Sequence, residues 1–176
     1  LLLDAVLETG RNQIVAPLLV RQGTLVERLW RFSWIYADFV LRPDMLSLAR
    51  LILGEATRRP ETAVNYHQNG PGRAFECLVD FVREADANSE LATDAPDLAA
   101  QNLWSLILAG PRDHCLHYTD DWPSEAELLR NIGHGLEVFL KFYGTEPAAQ
   151  IADLQRLISA KTEGLKQQGE DALLKQ

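Results

Sequence analysis

Leu103-Trp104-Ser105-Leu106-Ile107-Leu108-Ala109-Gly110-Pro111 leaves almost no polar face at helical spacing, so a helix through it must be covered on all sides. Further on, one apolar stripe runs Leu129, Ile132, Leu136, Phe139 and Tyr143, and a second runs Leu128, Gly135, Val138 and Phe142. One stripe is enough for a core. The second requires another surface, and a pair of two-faced helices is what a symmetric helical dimer needs. The predicted dimer interface is therefore carried by Leu106, Leu128, Gly135, Val138 and Phe142, on helices over 97–118 and 124–143. Gly133 and Gly135 cost roughly 1 kcal/mol each relative to alanine inside a helix, which makes sense if a neighbouring helix crosses closely there.

Outward from this pair the same periodicity holds. Apolar residues recur at helical spacing nearly everywhere, and the period-two alternation of a strand is absent, so the chain reads as all-α. A first helix covers 1–19. Gly23 and Thr24 supply a stop and a cap, and the box Thr24-x-x-Glu27 opens a helix to Leu41. Pro43 suits the first turn of a third helix, over 44–59, which Pro60 ends; 60–68 reads as a short helical piece. Asn69-Gly70-Pro71-Gly72 is a breaker before a helix over 73–87. The helix from Asp97 is expected to be interrupted at Gly110-Pro111, and Ser124 opens the next, to Tyr143, with Gly144 as its stop. Beyond Gly144, Ile151, Leu154, Leu157 and Ile158 suffice for one amphipathic helix before Lys-, Gln- and Glu-rich sequence expected to fray. The domain reading is thus 1–144, with 145–176 as an added helix and tail.

Composition narrows the function. The chain has 176 residues, 47% of them hydrophobic and 24% charged, enough for one domain with a real core. Its 25 acidic residues exceed its 17 basic ones, and a formal charge of -8 repels phosphate backbones and anionic membranes. Two cysteines, Cys77 and Cys115, build no disulfide framework, which fits a cytoplasmic setting. No apolar run approaches the ~18 residues of a membrane span. The only methionine is Met45, so Leu1 is not a translation start, and an N-terminal part is expected to be missing.

At Leu48-Ala49-Arg50-Leu51-Ile52-Leu53-Gly54-Glu55-Ala56-Thr57-Arg58-Arg59-Pro60-Glu61, followed by Tyr66 and Gly70-Pro71, the chain resembles the effector-binding and dimerisation domain of the TetR/AcrR family of bacterial transcriptional regulators, in its AefR-like group. Arg59 and Thr62 stand where the group's pattern has phenylalanine and leucine. Pro123-Ser124-Glu125-Ala126-Glu127, leading to Phe139-Leu140-Lys141-Phe142-Tyr143-Gly144, is similar to the group's last dimerisation helix. The resemblance covers 1–144. It implies a TetR-like helical domain that dimerises through a four-helix bundle, a connector helix over 1–19, and a helix-turn-helix head upstream as the only route to DNA. The function it implies is that of a ligand-responsive regulator, most simply a repressor and not an enzyme, acting as a homodimer on a small hydrophobic or amphipathic effector.

Within that frame the expected pocket is aromatic. Trp30 and Trp34, one turn apart on one helix, are expected to converge with Trp104 and Phe75, with Met45, Ile52 and Leu108 between and Tyr66 or His114 at the rim. Plain core packing is the competing reading for any single aromatic. Glu55 is the carboxylate to watch, either recognising a cationic effector or pairing with Arg58 or Arg59. Asp113-His114-Cys115-x-His117 with Asp120-Asp121 matches no strong zinc signature, and a polar helix end explains it better, so neither metal nor cofactor is expected. A kink at Pro111 would free carbonyls for a ligand or water. There is no Glu-x-x-His, nucleophile elbow or phosphate loop, since the proline of Gly70-Pro71-Gly72-Arg73 removes a donor a phosphate cradle would use. The rival readings are a helical enzyme or carrier using the same pocket and a purely structural dimerisation module with a filled core.

Overall fold

The computed structural model describes residues 12, 14–16 and 18–174, with side chains to residue 168. Of the expected first helix, most lies outside the described residues; 12, 14–16, 18 and 19 are helical. Seven helices follow: α1 (Leu25–Val40), α2 (Pro43–Glu55), α3 (Pro60–Asn69), α4 (Pro71–Ala87), α5 (Pro96–His117), α6 (Glu125–Tyr143) and α7 (Pro147–Leu174). No strand occurs among the described residues; a lone antiparallel bridge joins Leu91 to Gly144. No described helix is long and apolar enough to cross a membrane.

Proline and side-chain caps set most of the starts. Five of the seven helices begin at a proline, whose fixed φ suits the first turn and whose missing N–H would have had no partner there. The other two carry full capping boxes. Thr24 Oγ1 accepts from the Glu27 amide at 3.2 Å while Glu27 Oε2 accepts from the Thr24 amide at 2.8 Å, and Ser124 and Glu127 repeat the arrangement. Gly23, at φ +92°, makes the left-handed turn that leads into α1. Two expected boundaries move: α2 stops at Glu55 rather than Arg59, and α4 starts at Pro71 because the expected breaker supplies its first turn.

The expected interruption of α5 does not occur. The helix runs unbroken through Gly110 and Pro111. Pro111 cannot donate to the Ile107 carbonyl four residues back, and Asn131 on α6 replaces the lost donor, its Nδ2 lying 2.7 Å from that oxygen. A neighbouring helix therefore takes the carbonyl that a ligand or water was expected to satisfy.

α5 packs between α4 and α6, and α7 lies across α6 and α1. Leu103, Ile107, Ile132, Leu136, Phe139 and Phe32 are fully buried where these layers meet. The close crossing predicted at the α6 glycines is present on two sides. A Cβ on Gly135 would lie 2.6 Å from the Leu106 carbonyl oxygen, and one on Gly133 would lie 2.9 Å from Ile158 Cδ1 of α7. Gly135 and the Leu106 backbone thus meet within one chain at the α5–α6 crossing, and the Leu106 side chain stays half-buried. Leu128 is half-buried against the core, whereas Val138 and Phe142, one turn apart, remain exposed, Phe142 at 78%.

Two polar joints tie the layers together. Buried Arg28 of α1 reaches Glu90 after α4 with Nη2–O distances of 2.6 and 2.8 Å, its guanidinium 5.2 Å from the Phe81 ring centre. Lys161 of α7 pairs with Glu125 of α6 and sits 4.6 Å from the centre of the Trp34 ring.

Candidate functional site

Where α2 and α3 meet the C-terminal half of α1, the helices leave a cavity of about 360 Å³. Tyr36, Phe39 and Val40 of α1 form one wall and Met45, Leu46, Ala49 and Ile52 of α2 the next. Ala63, Tyr66 and His67 of α3, Ala74 of α4, and Trp104 and Arg112 of α5 close it, and Ile14 of the N-terminal helical segment also lines it. The space follows from sequence: α3 presents Glu, Asn, His and Gln among its ten residues and buries none of them, so it spans the corner without filling it.

The polar side chains on the lining are few: Tyr36, Tyr66, His67 and Arg112. The Tyr36 hydroxyl is pushed well above its usual value by burial, with the positive charge of Arg112 pulling the other way. Tyr66 is raised by burial and opposed by Arg112 in the same manner. Both phenols therefore stay protonated as donors near one guanidinium, and among the described residues no carboxylate lines the cavity. Trp104 packs on Tyr36 with ring centres 4.3 Å apart and receives the edge of Phe75 at 6.0 Å. Arg50 of α2 donates to the carbonyls of Cys115 at 2.6 Å and Leu116 at 2.9 Å. A cation there satisfies the exposed carbonyl end of α5 and fixes it against α2.

Of the pocket residues chosen from sequence, Met45, Ile52, Tyr66 and Trp104 line the cavity. The other choices lie elsewhere. Trp30 and Trp34 meet edge-on at 5.8 Å on the side of α1 that Lys161 covers, so the three indoles do not converge. Tyr36, two residues and ~200° around the helix from Trp34, faces the cavity instead. Phe75 stands behind Trp104 and borders a shallow depression with Arg73 and Glu76. Leu108 is fully buried in the core. His114 is exposed, its Nε2 donating to Asp121 at 2.9 Å and its ring stacked on Tyr118 at 4.6 Å; again the residue two positions away, Arg112, faces inward. Glu55 lies off the lining, 3.5 Å from Arg58, which is its ion-pair alternative. His117 Nδ1 donates to the Asp113 carbonyl at 2.8 Å, and among the described residues no His, Cys, Asp or Glu cluster is placed to hold a metal. Sequence reasoning missed Tyr36, Phe39, His67 and Arg112; the i, i+3, i+4 set Tyr36, Phe39, Val40 was the available signal for the first two.

The all-helical arrangement around this side cavity is shared by known proteins. A TetR-family transcriptional regulator from Mesorhizobium loti MAFF303099 superposes with a TM-score of 0.68 at 21% identity, over 81% of this chain and 68% of the other. The flavonoid-responsive regulator FrrA superposes with a TM-score of 0.67 at 24% identity, over 80% of this chain and 72% of its own. No curated protein matches the chain. The family pattern of the AefR-like transcriptional repressor C-terminal domain matches residues 27–145. The chain belongs to that family and is the C-terminal domain of a TetR-family transcriptional regulator.

Proposed function

We propose that this domain senses a small apolar or amphipathic effector in the α1–α5 cavity and holds two regulator subunits together through α5 and α6. The observation that carries the reading is the cavity wall itself, in which Ile14 of the N-terminal helical segment, read here as the connector, stands beside residues of α1 to α5. A molecule in the cavity touches the connector directly. Favouring one connector position sets the spacing of two DNA-binding heads upstream, and half-sites about one helical turn, ~34 Å, apart tolerate little error. The effector must prefer one arrangement, since equal affinity for both shifts nothing. The regulatory family supports this over a helical enzyme or carrier, and the cavity supports it over a purely structural module. A cytoplasmic repressor that reaches DNA only through its helix-turn-helix heads completes the reading.

Two variants separate the halves of the proposal. Ala63→Trp fills the cavity and is expected to abolish uptake of small molecules, read by mass spectrometry of the purified domain, while light scattering still reports a dimer. Phe142→Asp, or Val138→Asp, places an unpaired charge in the proposed interface and is expected to release monomers that still take up ligand. A filled variant that retains ligand overturns the sensing half; an unchanged dimer in both aspartate variants overturns the dimer half.

A further inference from the structure

The cavity has an apolar lining with few polar groups, and Arg112 is its charged side chain among the described residues. Phe39, Met45 and Ile52 supply the body. The polar lining comprises the His67 ring and the Arg112 guanidinium, which lies close enough to the hydroxyls of Tyr36 and Tyr66 to act on both electrostatically. Arg112 is half-buried and, among the described residues, makes no ion pair or hydrogen bond. The other arginines that touch the interior are already engaged: Arg28 by Glu90 and Arg50 by the carbonyls that end α5. Glu55, the carboxylate considered for effector recognition, is paired with Arg58 off the lining. A half-buried guanidinium in an apolar recess, close to two phenol hydroxyls and, among the described residues, to no carboxylate on the lining, lacks its natural complement. A planar carboxylate supplies it, accepting the guanidinium fork and a phenolic hydrogen bond while its carbon skeleton displaces water from the apolar wall.

We infer that the effector of this domain is an organic monocarboxylate with a hydrophobic body, its head held by Arg112 with Tyr36 and Tyr66. The inference rests on the proposal that the cavity is the effector site. It excludes cationic amphiphiles, for which the guanidinium is a like charge.

Calorimetric titration of the domain with 4-phenylbutyrate, 4-phenylbutanamide and 4-phenylbutylammonium tests it, since the three share a body and differ in head. The expected order is carboxylate, then amide, then ammonium, with the carboxylate on the order of 10- to 100-fold tighter than the amide. Arg112→Gln is expected to bring the carboxylate down to the amide's affinity and leave the amide unchanged. If that variant does not fold, Arg112→Lys decides: it keeps the charge without the fork and is expected to lose carboxylate affinity several-fold at constant amide affinity. Equal affinity of carboxylate and amide for the unaltered domain, abolished for both by Ala63→Trp, overturns the inference and leaves the cavity as the effector site. A carboxylate preference that survives Arg112→Gln also overturns it. Failure of all three probes to bind overturns the inference and counts against the cavity reading as well.

Discussion

α6 and the α2–α3 corner stand at opposite extremes of packing. α6 buries seven of its nineteen residues, and its two inward glycines let the backbone of α5 and the tip of Ile158 come within contact distance. α3 buries none of its ten, and α2 buries only Leu46, Ala49 and Ile52, all three of which also border empty space. The same chain thus builds a close-packed wall and a corner that leaves room. Interiors without voids resist changes of even one methylene, whereas a lined cavity can admit new atoms. The contrast separates a close-packed scaffold from a corner with room for added atoms.

The largest test of that contrast is Gly135→Val. Its first added carbon meets the Leu106 carbonyl oxygen, backbone that cannot swing aside, so a loss of roughly 3 kcal/mol is expected, a fall in Tm of about 6–12 °C for a domain of this size. A variant within ~1 kcal/mol of the parent breaks the account of the α5–α6 crossing. Asn131→Leu comes next. It leaves the Ile107 carbonyl without its donor and is expected to cost about 1–3 kcal/mol in denaturant unfolding. Pro111→Ala restores a backbone donor to the same oxygen, so the two changes together should be less harmful than their sum; simple additivity refutes the substitution of Asn131 for the missing amide.

On the other side of the comparison, Ala63→Leu adds three carbons into the cavity and is expected to move stability by less than ~1 kcal/mol, in either direction, because it meets space and not backbone. A loss as large as that at Gly135 means the corner is as tightly built as α6. The smallest effect is electrostatic. The Glu127 carboxyl is held below its ordinary 4.5 by the Ser124 hydroxyl and amide of the α6 capping box. A carboxyl lowered by folding adds stability above its unfolded value and loses it as pH falls through the lowered one. Nuclear magnetic resonance titration should therefore place the Glu127 midpoint below 4.5, and Ser124→Ala should return it towards that value.

Much of the molecule was legible in its sequence for local reasons. Helical periodicity, prolines at first turns, and the boxes Thr24-x-x-Glu27 and Ser124-x-x-Glu127 act within a few residues, so the all-α class and most helix limits could be read directly. The glycines of α6 announced a close crossing by their cost alone, but not which helix would cross. The pocket shows the same limit. Trp34 and His114 were the conspicuous side chains on α1 and α5, yet Tyr36 and Arg112, two residues along and on the opposite side, line the cavity.

What the sequence by itself determined is therefore the set of helices, their caps, and the apolar stripes that had to be buried, because each depends on neighbours within about a turn. Tertiary structure alone decided which stripe faced which partner. α7 lies over the Trp34 side of α1 and turns Tyr36 to the cavity, Asn131 closes the gap left by Pro111, and Gly135 is taken by α5 of its own chain. The physical reason is that a helix with two apolar sides is locally indifferent to which side is covered, and only the competition among all the helices for a close-packed neighbour removes that indifference.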